Sequence, residues 1–204
     1  MTNAALGLRA HSGWAALVAV AGTPRAPVVI DRRRIELADS SIAGSKQPYH
    51  AAEGLKLAKA SDIVDRCAEA ARHLAAEAFR AAIADLRTKG HDVVACGLLL
   101  ASGRPLPALE AILASHALIH TADGELFRDA LIRAAGRFRL PVIRVREKEL
   151  HARAGKDLEM PAAQLQGRVA ELGRGIGPPW TEDQKLAALI AWLALVSPAS
   201  VREA

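Results

Sequence analysis

Between residues 115 and 131 the chain reads SHALIHTADGELFRDAL, its densest group of ionisable side chains beside an apolar segment. His116 and His120 stand one helical turn apart, so a helix presents both imidazoles on one side, and Asp123, Glu125 and Asp129 follow closely. Two imidazoles and a carboxylate are a donor set for zinc or a similar metal. The HExxH pattern of helical zinc hydrolases is absent. The same residues also describe two structural histidines followed by a helix break, with Asp123-Gly124-Glu125 supplying a new N-cap. The sequence leaves both readings open.

Three other groups carry candidate chemistry. In PYHAAEG, Glu53 is placed to orient or charge the His50 imidazole, a pair suited to general acid–base work or simply to solvation. In ALGLRAHSGWAALVAV, Arg9, His11 and Ser12 occupy the middle of two apolar runs. Arg32, Arg33 and Arg34 suit phosphate contacts, but strand alternation keeps them from sharing one face. Charged residues on a sheet edge that resist edge-to-edge aggregation account for them equally well. No Walker loop, GxSxG elbow or Rossmann glycine pattern occurs, and GRGIGPP is no phosphate cradle.

These residues need elements to hold them. Residues 4–9, 14–21 and 27–37 read as three strands of an antiparallel meander, separated by turn residues at AHSG and GTPRAP. In the third, alternation places Val29, Asp31, Arg33, Ile35 and Leu37 on one face. A long connection with a short helix is expected over 38–60. Ser61 then caps a helix over 62–89, in which apolar residues from Val64 to Leu86 recur every three or four positions until Gly90. DVVACGLLL, bounded by Gly90 and Ser102-Gly103, reads as a central strand buried on both faces. Pro107 opens a helix to about His120, ADG interrupts it, and ELFRDALIRAAGRF resumes it. PVIRVREKEL is a further strand with a charged end, and a Gly-rich segment leads to the last helix. There Thr181 and Gln184 form a capping box, and Leu186, Leu189, Ile190, Leu193 and Val196 make an apolar face.

Composition narrows the function classes. The 204 residues are 51% hydrophobic and 24% charged, in the range of folded globular chains. That length fits a single domain over 1–204, with the C-terminal helix at about 181–197 packed on it. Aromatics are only 3%, too few for a stacking platform of the single-strand-binding kind. The net charge of +5 favours anionic partners without requiring them. Cys67 and Cys96 lie in apolar runs without a CxxC pattern, as expected of reduced thiols in the cytoplasm. WAALVAVAG is a poor signal-peptide core, since it runs on as a strand, and LAALIAWLALV is too short to span a bilayer. No membrane association is expected.

The order of elements, together with LGLRAHSGWAALVAV, resembles the ribonuclease H-like fold, and RuvC-type Holliday-junction resolvases in particular. Those enzymes open with a strand ending Gly-Ile-Asp, a short turn, and a strand beginning Thr-Gly-Tyr/Trp-Gly. Here Gly7-Leu8 is followed by Arg9, and Ser12-Gly13-Trp14-Ala15 matches the second half. LIRAAGRFRLPVIRVREKELHARAG is similar to the family's helix, Leu-Pro-Val strand and following basic helix, and WTEDQKLAALIAWLA to its last helix. The resemblance implies an α/β fold with a ribonuclease H-like mixed five-stranded sheet, three antiparallel strands followed by alternating helices and strands. It also implies a two-metal nuclease whose carboxylates come from the first strand, the fourth strand and the last helix. This sequence departs from that set. Arg9 replaces the first aspartate, VVACGLLL offers no acid, and only Glu182 and Asp183 stand near the expected place, where acids also serve the helix dipole.

Two functions follow as expectations. One is a non-catalytic ribonuclease H-like module that binds nucleic acid or another protein, with Arg9, Arg32, Arg34, His50 and Glu53 as contact residues and no metal. The other is a metal-dependent hydrolase or nuclease with a relocated site drawn from His116, His120, Asp123, Glu125, Glu182 and Asp183, whose cofactor is a divalent metal.

Overall fold

The computed structural model describes residues 1–101 and 105–197. Strands β1 (Thr2–His11), β2 (Trp14–Thr23) and β3 (Ala26–Glu36) form the expected antiparallel meander. Gly13, at a φ of 82°, closes the first turn in a conformation that other residues resist. Strands β4 (His91–Leu100) and β5 (Val142–Arg146) add in parallel, giving the order β3-β2-β1-β4-β5. The chain thus has an α/β fold with a ribonuclease H-like five-stranded mixed sheet. The Ser102-Gly103 boundary expected after β4 lies outside the described residues.

Helices cover both faces. On one, α2 (Leu57–Thr88) and α4 (His116–Arg137) pack against the sheet through Phe79, Leu86, Phe127 and Leu131, with the short α1 (Pro48–Ala52) and α3 (Leu109–Leu113) beside them. On the other lies α7 (Glu182–Val196), flanked by α5 (Leu150–Asp157) and α6 (Ala162–Leu172). The capping box of α7 is present: Thr181 Oγ1 accepts from the Gln184 amide at 3.4 Å, and the Thr181 amide donates to Gln184 Oε1 at 3.1 Å. Every residue from Leu186 to Ala194 is buried, so α7 is buried all round and not along a single apolar face. Trp192, fully buried, donates its indole N–H to the Pro24 carbonyl at 3.1 Å.

Several sequence expectations change. Helix α2 begins at Leu57 with Lys56 as N-cap, and Ser61 lies inside it, its hydroxyl donating to Asp65 at 3.1 Å. A bulge near Ile30 shifts the β2–β3 register, so Val29 packs beneath α7 while Ile35 and Leu37 pack beneath α2. The one-face assignment for β3 fails for that reason. Helix α4 runs unbroken through Asp123-Gly124-Glu125, because the Asp123 side chain turns inward to tertiary partners and caps no helix. Strand β5 stops at Arg146, and the segment expected to be merely Gly-rich contains α6.

Cys67 and Cys96 are both free and buried, and burial pushes the Cys96 thiol up to about 12. No helix among the described residues is long and apolar enough to cross a membrane.

Candidate functional site

Strand β1 delivers Arg9 toward the start of α7, and β5 ends one residue before Glu147 on the same side. The Arg9 guanidinium lies between two carboxylates. Its Nε and Nη2 donate to the two oxygens of Glu147 at 3.0 and 2.8 Å, a bidentate pair, and its Nη1 donates to Asp183 Oδ1. His11 Nε2 bonds the same Asp183 oxygen at 2.8 Å. A column of rings holds His11 in place. Trp14 stacks on it at 4.3 Å between centroids, and the Arg34 guanidinium sits 3.9 Å above Trp14, where the ring's negative face attracts the cation.

The charges reinforce one another. Hydrogen bonding to Glu147 is the largest influence on Arg9 and raises its pKa against the opposing effect of burial. The Arg9 hydrogen bond likewise holds the Glu147 carboxyl below its ordinary range. Burial opposes ionisation of Asp183, but hydrogen bonds and charge from His11 and then Arg9 outweigh it and hold that carboxyl low as well. A carboxyl whose folded pKa lies below its unfolded value, about 4, adds stability that is complete above that value and is lost as pH falls through the folded one. The urea midpoint should therefore stay level from neutrality to about pH 5 on this account and fall at lower pH. In a Glu147→Gln, Asp183→Asn double variant the acid-side fall should be shallower. An identical pH profile in both proteins would show that the pairing contributes nothing.

The other arginines are placed by internal acceptors. Arg32 points beneath the turn before α7, where it donates to the carbonyls of Ile176, Gly177, Pro178 and Pro179. It thereby fixes the entry to α7, and so the position of Asp183. Arg34 pairs with Glu36 at 2.6 Å besides covering Trp14, and Arg33, on the opposite face, pairs with Asp31 and Asp85. Glu182 lies 3.5 Å from Lys185.

Next to the Arg9 cluster an open cleft of about 580 Å³ is lined by Ala101, Arg128, Glu147, Lys148, His151 and Leu186. Lys148 and His151 are exposed there. Arg128 is half-buried and held by the Leu99 carbonyl at 3.3 Å and Glu125 at 3.2 Å.

A second cluster forms on the far side of the sheet. The sequence groups PYHAAEG and SHALIH, more than sixty residues apart, meet where α1 packs on the start of α4. His50 Nδ1 lies 2.5 Å from Asp123 Oδ2, and Asp123 Oδ1 accepts from the Tyr49 amide at 2.7 Å. His116 and His120 approach each other through their Nε2 atoms at 3.1 Å, and Glu53 lies 4.0 Å from His116. Glu125 takes no part, being paired with Arg128.

The structure thus gathers Arg9 with Asp183 and His50 with His116, His120 and Asp123, while Glu125 pairs with Arg128 and Glu182 with Lys185. Glu147 carries no signal in the sequence beyond its place at the end of a parallel strand, where α/β sheets commonly bind ligands. The two-metal site that the resemblance implies would take carboxylates converging on cations from β1, β4 and the last helix. These residues do not fit such a pair of metals. A guanidinium occupies the β1 position, and β4 is apolar level with Arg9, where Leu98 pairs with Leu8 and Leu99 and Leu100 follow.

No protein-family model matches the chain, and no curated protein matches it. Among solved structures it is similar to T. thermophilus RuvC in complex with a Holliday junction substrate, with a TM-score of 0.50 and 12% identity over 93% of this chain and 90% of that one. It is also similar to a second Thermus thermophilus RuvC structure, with a TM-score of 0.48 and 13% identity over 93% and 91% of the two chains. At such identity the likeness establishes the ribonuclease H-like, RuvC-like fold.

Proposed function

We propose that the chain is a single-domain ribonuclease H-like module of the cytoplasm that binds nucleic acid without cutting it by two-metal chemistry. The observation that carries this reading is the Arg9 guanidinium between Glu147 and Asp183. It supplies in permanent form the positive charge that a catalytic cation would otherwise bring, and it uses up the acids that would hold that cation. The adjoining cleft then offers Lys148 and His151 to a phosphate backbone, with Arg128 behind them. Arg32 and Arg34 serve the architecture of that face, and the net charge of +5 supports a polyanionic partner. One RuvC structure similar to this chain is in complex with a Holliday junction substrate, which makes branched DNA the first ligand to try.

The test is to incubate the purified protein with labelled four-way-junction and duplex DNA, with magnesium or manganese, while measuring anisotropy across a salt series. Expected are no cleavage, binding that weakens steeply with salt because phosphate contacts release counterions, and weaker binding with a shallower salt slope in Lys148→Ala. Junction cleavage that Asp183→Asn abolishes would return the protein to the nucleases. Absence of binding even at low salt would turn the reading towards a protein partner.

A further inference from the structure

We propose that His50, His116 and His120 bind one divalent transition-metal ion of the zinc class, with Asp123 as the outer carboxylate that orients His50 and with a fourth position open to solvent. Nitrogen donors of the three imidazoles all lie within 4.8 Å of one another. A tetrahedral zinc with Zn–N bonds of about 2.0–2.1 Å sets neighbouring nitrogens about 3.3 Å apart. His116 and His120 already stand at 3.1 Å through their Nε2 atoms, and the His50 ring meets both of theirs, at 5.4 and 4.4 Å between centroids.

The outer contacts point the same way. Asp123 is 2% exposed, and its two oxygens are taken by the Tyr49 amide and by His50 Nδ1. A carboxylate accepting at Nδ1 makes that nitrogen the N–H donor and leaves Nε2 as the nitrogen free to bond a metal. This carboxylate–histidine pairing is the usual support of a metal-bound imidazole. A purely structural role accounts for His50 but not for its neighbours. The His116 side chain is 66% exposed; among the described residues it lies beside His120 through Nε2, edge-on to the His50 ring, and 4.0 Å from the Glu53 carboxylate. Two exposed imidazoles held nitrogen to nitrogen share at most one hydrogen bond, whereas a cation satisfies both lone pairs. Three imidazoles select zinc, copper or nickel over magnesium, which prefers oxygen ligands. Three protein ligands with one solvent-facing position is the arrangement of open zinc sites, in which a bound water completes the shell.

This inference is independent of the nucleic-acid reading, because the cluster lies across the sheet from Arg9. The full chain, stripped with chelator, is titrated with zinc chloride in the presence of excess magnesium, by calorimetry and by metal analysis after desalting. One zinc per chain is expected. Loss of uptake, or at least a tenfold fall in affinity, is expected in His116→Ala and in His120→Ala. Both sites are exposed, so their urea midpoints without metal should match the wild type. Asp123→Asn should weaken binding by about 10–100-fold, the usual effect of removing an outer carboxylate. Cobalt should give the visible absorption of a four-coordinate site in the wild type and not in His120→Ala. Failure to take up stoichiometric zinc overturns the proposal, as does uptake unchanged in both histidine variants. Junction binding should be the same in all these variants, so the two readings stand or fall separately.

Discussion

Gly7→Ala is expected to destabilise the protein by about 4 kcal/mol or more, enough to leave little folded chain. Gly7 on β1 and Gly97 on β4 are register partners, so the centre of the sheet presents bare backbone to α7. A Cβ added at Gly7 would stand 1.8 Å from the Ala187 carbonyl oxygen and 2.8 Å from the Ala191 Cβ, and one at Gly97 would stand 2.5 Å from the Ile190 carbonyl oxygen. The two oxygens are main-chain atoms of a helix buried all round, and the Ala191 Cβ is fixed to that main chain, so no rotamer change relieves the clash and the whole helix must lift. Lifting it gives up packing from Leu186 to Ala194 and draws Asp183 away from Arg9 and His11. Gly167→Ala is the control, since nothing lies within 4 Å of its added Cβ. In the helix α6 that change should be neutral or stabilising by about 0.5–1 kcal/mol. A Gly7→Ala protein with the wild-type urea midpoint would mean that α7 does not lie on the sheet at this depth.

Those two glycines also show how far the sequence could be read. A glycine inside an apolar strand run signals a bulge or a close backbone approach, but nothing local says which element approaches. The meander was legible because alternation and turn residues are local, and the α7 cap because its partners are three residues apart. The clusters were legible only in pieces. Arg9 and Glu147 are separated by 138 positions, and a lone acid after a strand looks like any solvated residue. Asp123 misled for a related reason: Asp-Gly-Glu has the local form of a helix break, whereas the bonds from Tyr49 and His50 that draw its carboxylate inward come from more than seventy residues away. Arg32 looked available to phosphates because the carbonyls it serves lie over 140 residues downstream.

Arg9→Asp should convert the cluster from a closed ion-pair network into a place that demands a cation, and still not restore cleavage. The change removes the charge that balances Glu147 and Asp183 and adds a third carboxylate beside them. Breaking a fully buried pair in this way costs about 3–5 kcal/mol. Here the Glu147 side chain is 42% exposed and solvent screens part of the loss, so about 2–4 kcal/mol is expected without divalent ions. Manganese should recover much of that and raise the melting temperature of the variant by binding only its folded state. The wild type should not respond at this site. At about 4 Å and an effective dielectric near 20, a unit charge pair is worth about 4 kcal/mol, so Arg9 repels a divalent ion by roughly twice that. Cleavage is expected to stay absent because the two-metal site that the resemblance implies takes a further carboxylate from the central strand, and β4 offers leucines level with Arg9. Melting curves with and without manganese, run beside a junction-cleavage assay, separate the two halves of this expectation. A variant insensitive to manganese would show that Glu147 and Asp183 do not converge on a cation, and a variant that cuts DNA would show that the acid from β4 is dispensable here.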